Sequence, residues 1–100
     1  MSIKQNLNIS CSIVTFSDGF VPRKINDLEN ALISFRKCLN SGKIIIVDNS
    51  KIPYFKSPTE KIDNCEYIHD PSNPGFGRSH NKAIRSLNES KYHLILNPDV

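Results

Sequence analysis

No stretch of this 100-residue chain approaches the roughly 20 consecutive apolar residues a bilayer-spanning helix needs, so no transmembrane segment is expected. The opening Met-Ser-Ile-Lys-Gln-Asn lacks the basic-then-apolar layout of a secretory leader. Charge of one sign is not concentrated: 13 Lys and Arg stand against 10 Asp and Glu, and no basic run exceeds the pairs Arg23-Lys24 and Arg36-Lys37. A nucleic-acid binder gathers its charge on one face or helix, so nucleic acid is not an expected partner. The formal net charge of +3 suits a small anionic ligand or peripheral contact with an anionic membrane surface. Cysteine is sparse and odd in number; Cys11, Cys38 and Cys65 form no C-x-x-C pair, which argues against zinc. Buried, reduced thiols in a cytoplasmic protein are the expectation. With only 4 Gly and 6 Pro, the chain is neither collagen-like nor low in complexity, and its length suits one small domain with a modest core.

What is present alternates. Residues 1–8 are polar and expected to be loose. Residues 9–16 (ISCSIVTF) read as a buried strand stopped by Ser17-Asp18-Gly19. Pro22 leads into a helix on which Ile25, Leu28, Ala31, Leu32, Phe35, Cys38 and Leu39 recur at three- and four-residue steps. Asn26 with Glu29 resembles a capping box, and Asn40 with Gly42 supplies the stop. Residues 43–47 (KIIIV) are apolar on both faces, as in a parallel strand covered by helices. Ser57-Pro58-Thr59-Glu60 fits the start of a short helix with Pro58 at its first position. Residues 65–69 (CEYIH) form a third strand, 70–75 a loop, and 77–89 a helix with Ala83, Ile84 and Leu87 facing inward. Residues 92–96 (YHLIL) form a fourth strand, stopped by Asn97-Pro98-Asp99. Strands alternating with helices predict an α/β layer with a largely parallel sheet, whose ligands bind beyond the carboxyl ends of the strands.

Those ends carry the polar clusters. The first strand-to-helix turn holds only Gly19, so neither a dinucleotide fingerprint nor a phosphate-binding P-loop is present. Gly75-Phe76-Gly77 instead precedes the last helix; it is either a glycine turn with a solvated first helical turn or, through the free N–H groups and Arg78, a seat for an anion. Asp48 ends the most buried strand; it either accepts hydrogen bonds from the following turn or takes an N–H from a ligand such as a pyrimidine base. Asn97-Pro98-Asp99 sets two oxygen-bearing side chains on a stiff turn suited to a hard divalent cation, if a diphosphate supplies the remaining ligands. His69, at a loop edge, His80, and His93, in a strand, share no metal-binding spacing.

Taken in order, SIVTF, IIIVDNS, NPGFGRSHNKAI and LILNPDV resemble the N-terminal half of inverting nucleotide-sugar glycosyltransferases with the GT-A fold, especially the rhamnosyltransferase-like members. The resemblance spans residues 9–100. It implies a Rossmann-like partial domain, a four-stranded, mainly parallel sheet in the order 3-2-1-4 flanked by helices. It places Thr15 and Phe16 at the nucleoside, with Ser17 where relatives have Asn, and Asp48 at the pyrimidine. Asn73, Gly75, Phe76, Gly77, Arg78 and Asn81 match the family's glycine-containing motif near the nucleotide. Asn97 falls near the ribose or sugar, and Asp99 at the Mg²⁺ or Mn²⁺ of its D-x-D turn. The implied activity is transfer from a UDP- or dTDP-sugar to an acceptor hydroxyl in surface-polysaccharide synthesis, at the inner face of the membrane. Relatives run to more than twice this length, with acceptor half and general base beyond the metal motif. The expectation is therefore a donor-binding half with no catalytic base of its own, or a non-catalytic nucleotide-binding remnant. Strand 92–96 would then be an uncovered edge through which copies of the chain associate.

Overall fold

The computed structural model describes residues 9–38, 42–87 and 92–98. Along them run β1 (Ile9–Thr15), α1 (Pro22–Cys38), β2 (Ile44–Asp48), α2 (Lys56–Glu60), β3 (Cys65–His69), α3 (Phe76–Arg85) and β4 (Tyr92–Leu96). The strands form one sheet in the order β3-β2-β1-β4, and all three pairings are parallel. The α/β architecture and strand order are those expected.

β2 shows why the sheet takes helices on both faces. Ile44 and Ile46 point into a core with Cys11, Ile13, Leu28, Leu32, Phe35 and Phe55, whereas Ile45 and Val47 point the other way, onto Ala83 of α3. Each such side chain contributes about 1.5–3 kcal/mol by leaving water. α1 lays Leu28, Leu32 and Phe35 on the first face, at the spacing read from the sequence.

Several local expectations need correction. α1 begins at Pro22, four residues ahead of the Asn26/Glu29 pair, so those residues lie inside the helix and form no capping box. Pro22 has no N–H to satisfy and a preset φ, which favours it at a helix start; the Val21 carbonyl accepts from Lys24 N at 3.0 Å. α2 likewise begins at Lys56, with Pro58 at its third position, where the N–H it lacks would still be an orphan. Cys38 is exposed and lines an open groove between α1 and β4. Cys11 is buried and Cys65 intermediate; burial pushes their thiols up to about 12 and about 11, which keeps them protonated and unreactive. Of the three residues expected to face inward, Ala83 is buried and Leu87 packs against its cluster, but Ile84 is exposed, and Ser79 and His80 turn toward the sheet in its place. The reason is polar: β1 presents the buried hydroxyls of Ser10 and Ser12, and His80 answers Ser12. The last helix stops earlier than expected: α3 ends at Arg85, four residues short of 89, where Ser86 caps it and its hydroxyl donates to the Ala83 carbonyl at 2.7 Å. The expected loose segment 1–8 and the helix stop at residues 39–40 lie outside the described residues.

Candidate functional site

Register brings the carboxyl ends of three strands level. Thr15 pairs with Asp48, and Asp48 with His69. Backbone and side chains knit this edge together. Asn49 N donates to the Thr15 carbonyl and Asp70 N to the Asp48 carbonyl, both at 2.8 Å. Ser17 N donates to Ser50 Oγ at 2.8 Å, and His69 Nε2 lies 2.8 Å from the Ser50 carbonyl. Asn49 and Ser79 exchange hydrogen bonds at 2.8 and 3.1 Å, fastening α3 to the end of β2.

Asp48 is 0% exposed, and its carboxylate is engaged on both oxygens. Oδ1 accepts from Ser50 N at 3.0 Å; Oδ2 accepts from Phe55 N at 3.3 Å and from the Tyr67 hydroxyl at 2.6 Å. Of the two roles open to it from the sequence, holding the turn is the one realised in this arrangement. Burial first, and then the Asp48 carboxylate, keeps Tyr67 protonated far above the ordinary phenol range. Tyr67→Phe removes one of three donors and is expected to cost about 1 kcal/mol in urea denaturation.

Thr15, Phe16, Arg78, Asn81 and Asn97 fall into two clefts and a groove. Thr15 and Phe16 line a small cleft of about 40 Å³ with Val14, Lys24, Phe55 and Pro98. Thr15 is 4% exposed, and its Oγ1 has no hydrogen-bond partner among the described residues. Lys24 Nζ donates to the Phe16 carbonyl at 3.3 Å, which leaves a cation at the rim. Arg78 and Asn81 line a second cleft of about 430 Å³ with Asp70, Ser72, Pro74, Lys82 and Arg85. Its charge is mostly positive: Arg78, Lys82 and Arg85 face Asp70, which Lys82 pairs at 3.2 Å. The Ser72 hydroxyl first, then Lys82, holds the Asp70 carboxyl below its usual range.

Asn73 and Gly75 shape the loop into α3. Both take a positive φ, 50° and 111°, and Gly75 is the residue at the cap, a conformation glycine adopts without a Cβ penalty. Gly77 lies in the first turn of α3 and has open space around it. Asn97 and Pro98 lie along the α1–β4 groove. Asp99 lies outside the described residues, and among those described no three His, Cys, Asp or Glu side chains gather as metal ligands.

Sequence reasoning missed Lys24, Phe55, Lys82 and Arg85 as cleft residues. Arg78, Lys82 and Arg85 stand at helical spacing on α3, so that basic stripe was a readable signal. Lys24 and Phe55 gave none, because only the tertiary fold carries them to the end of β1.

The architecture defines a parallel α/β domain with a polar carboxyl edge, the place where such sheets take their ligands. No family model, no curated protein and no solved structure matches the chain. No helix among the described residues is long and apolar enough to cross a membrane.

Proposed function

We propose that the carboxyl edge binds the nucleoside diphosphate of a UDP- or dTDP-sugar, and that the chain is the donor-binding part of an inverting glycosyltransferase. The observation that carries the reading is Thr15. A buried hydroxyl without a partner costs about 1–3 kcal/mol, yet this one lines a cleft at the end of the central strand. A single hydroxyl or N–H of a nucleoside lying over this cleft of about 40 Å³ would pair it. The neighbouring basic cleft of Arg78, Lys82 and Arg85 suits a diphosphate, to which arginine offers a planar fork. The motifs around these residues resemble those of the glycosyltransferases named above.

A divalent ion in this reading would neutralise charge on the diphosphate leaving group. The described side chains do not make a metal site by themselves, so the diphosphate and Asp99 would have to complete one. Mn²⁺ should therefore strengthen UDP binding in calorimetry while binding poorly alone, and Asp99→Asn should remove the gain. An unchanged UDP affinity with and without Mn²⁺ would make the Asn97-Pro98-Asp99 turn structural.

Two carboxylates of the edge are already engaged, Asp48 by three donors and Asp70 by Ser72 and Lys82. That observation favours a second reading, a nucleotide-binding module that does not itself deprotonate an acceptor. Neither reading gives this chain a catalytic base of its own, so measurable sugar transfer by the purified chain would refute both.

The direct test is Thr15→Val. This near-isostere exchanges the unpaired hydroxyl for a methyl group, so the folded chain should be as stable as wild type or more so. Its affinity for UDP or dTDP should fall by about 0.5–1.5 kcal/mol, the net worth of one hydrogen bond. Equal affinity in wild type and variant, or equally tight binding of purine diphosphates, defeats the assignment.

A further inference from the structure

Four polar side chains, three of them buried and His93 half-buried, form a chain between α3 and the sheet. β1 presents Ser10 and Ser12, both 0% exposed. His93 of β4 bridges them, with Nδ1 2.7 Å from Ser10 Oγ and Nε2 2.7 Å from Ser12 Oγ. Ser12 Oγ also lies 2.6 Å from Nδ1 of His80 on α3. His80 is 2% exposed, its Nε2 has no partner among the described residues, and the Phe76 ring meets it edge-on with centroids 4.4 Å apart.

One assignment of protons satisfies this geometry. A buried N–H without an acceptor costs more than an unused lone pair, so His80 carries its proton on Nδ1 and donates to Ser12. The Ser12 hydroxyl then donates to His93 Nε2, and His93 Nδ1–H donates to Ser10. The Ser10 hydroxyl closes the series on the Tyr92 carbonyl, a longer contact of 3.5 Å. Every hydrogen points the same way, and both imidazoles are neutral.

A proton added to either ring breaks the order. On His80 it would sit at Nε2, which has no acceptor among the described residues. On His93 it would force Ser12 to accept from both rings and leave the serine hydrogen without a partner. The groups around the chain offer little to compensate. Among the described residues the titratable group facing His80 is His93 itself; β1 contributes the two serines, β2 the apolar Ile45 and Val47, and α3 Phe76 and Ser79. Farther along the same face, Lys43 and Glu66 pair with each other at 3.7 Å.

We infer that Ser10, Ser12, His80 and His93 form an acid-sensitive latch that holds β4 and α3 to the central strand while both imidazoles are neutral, whatever ligand the carboxyl edge binds. Burial lowers the proton affinity of both rings, and for His80 the nearby His93 lowers it further. Free imidazoles in the unfolded chain take up protons near pH 6.5, the folded pair only at lower pH. The latch is therefore whole above about pH 6.5 and weakens progressively as pH falls below it.

Hydrogen exchange of the β4 amides, corrected for intrinsic rates, reads the latch between pH 7.5 and 5.5. The opening constant should rise below pH 6.5 by up to about tenfold per pH unit if one imidazole is linked to opening, and about a hundredfold if both are. A constant opening across that range overturns the inference. The double variant His80→Gln, His93→Gln should lose the pH dependence; retention of the same slope also overturns it. If that variant does not fold, imidazole NMR of the wild type decides: titration of His80 and His93 below about pH 6.5 supports the latch, and titration of both as free imidazoles refutes it.

Discussion

Asp48→Ala should remove about 3–5 kcal/mol of stability, a large share of the 5–15 kcal/mol expected for a domain of this kind. The carboxylate accepts from Ser50 N, Phe55 N and the Tyr67 hydroxyl, and it is wholly buried. Truncation strands all three donors where water does not replace the lost acceptor, and hydrogen bonds to a charged group are worth about 1.5–3 kcal/mol each. The residues between Ser50 and Phe55 would lose the anchor that returns them to the end of β2. Urea denaturation of the two proteins measures the loss, and a difference below about 1 kcal/mol would show that the carboxylate is not the anchor. A variant that stays stable yet no longer binds UDP would return Asp48 to the base-reading role that the resemblance implies.

Gly42→Ala is the second substitution expected to act strongly. Gly42 has φ +118°, outside the conformations that an L-residue adopts readily, and a Cβ there would run into the Ile9 carbonyl oxygen. The strain alone costs about 1–3 kcal/mol. The obstacle is backbone of the central strand, so relief requires β1 and the approach to β2 to move apart, at the point where Cys11 N donates to the Lys43 carbonyl at 2.9 Å. A total loss of about 3 kcal/mol or more is expected in thermal or urea unfolding, with the weakest hydrogen-exchange protection in Cys11 and Ile44. Wild-type stability in the alanine variant would mean that this turn adapts without cost.

The strands were legible because apolar runs bounded by polar turns leave few alternatives. The five buried residues of β2, bracketed by Gly42 and by Asn49-Ser50, admit no amphipathic helix. Their two-sided apolarity also announced cover on both faces. Helix starts were less legible: Asn26 with Glu29 imitates a cap, yet the backbone turns at Pro22, where no N–H has to be satisfied. The site was legible as a set of strand ends but not as a set of partners. Tyr67 sits 19 residues from the carboxylate it donates to, and Ser12 lies 68 and 81 residues from His80 and His93. No local pattern joins residues so far apart. The hydroxyls of β1 read as ordinary strand residues until the imidazoles opposite them are seen.

The position of β1 inside an all-parallel sheet has a consequence for how the chain reaches this state. Its two neighbours are β2 and β4, and the latter arrives late: Ser10 meets a residue 83 positions downstream. Parallel neighbours cannot be joined by a tight hairpin, so every pairing waits for a long loop to close. During synthesis β1, β2 and β3 can assemble while one hydrogen-bonding edge of β1 still stands open, and that edge is a template for the wrong strand. Folding should accordingly be slow for a chain of this size, and most vulnerable to misassociation in the interval before residues 92–96 dock.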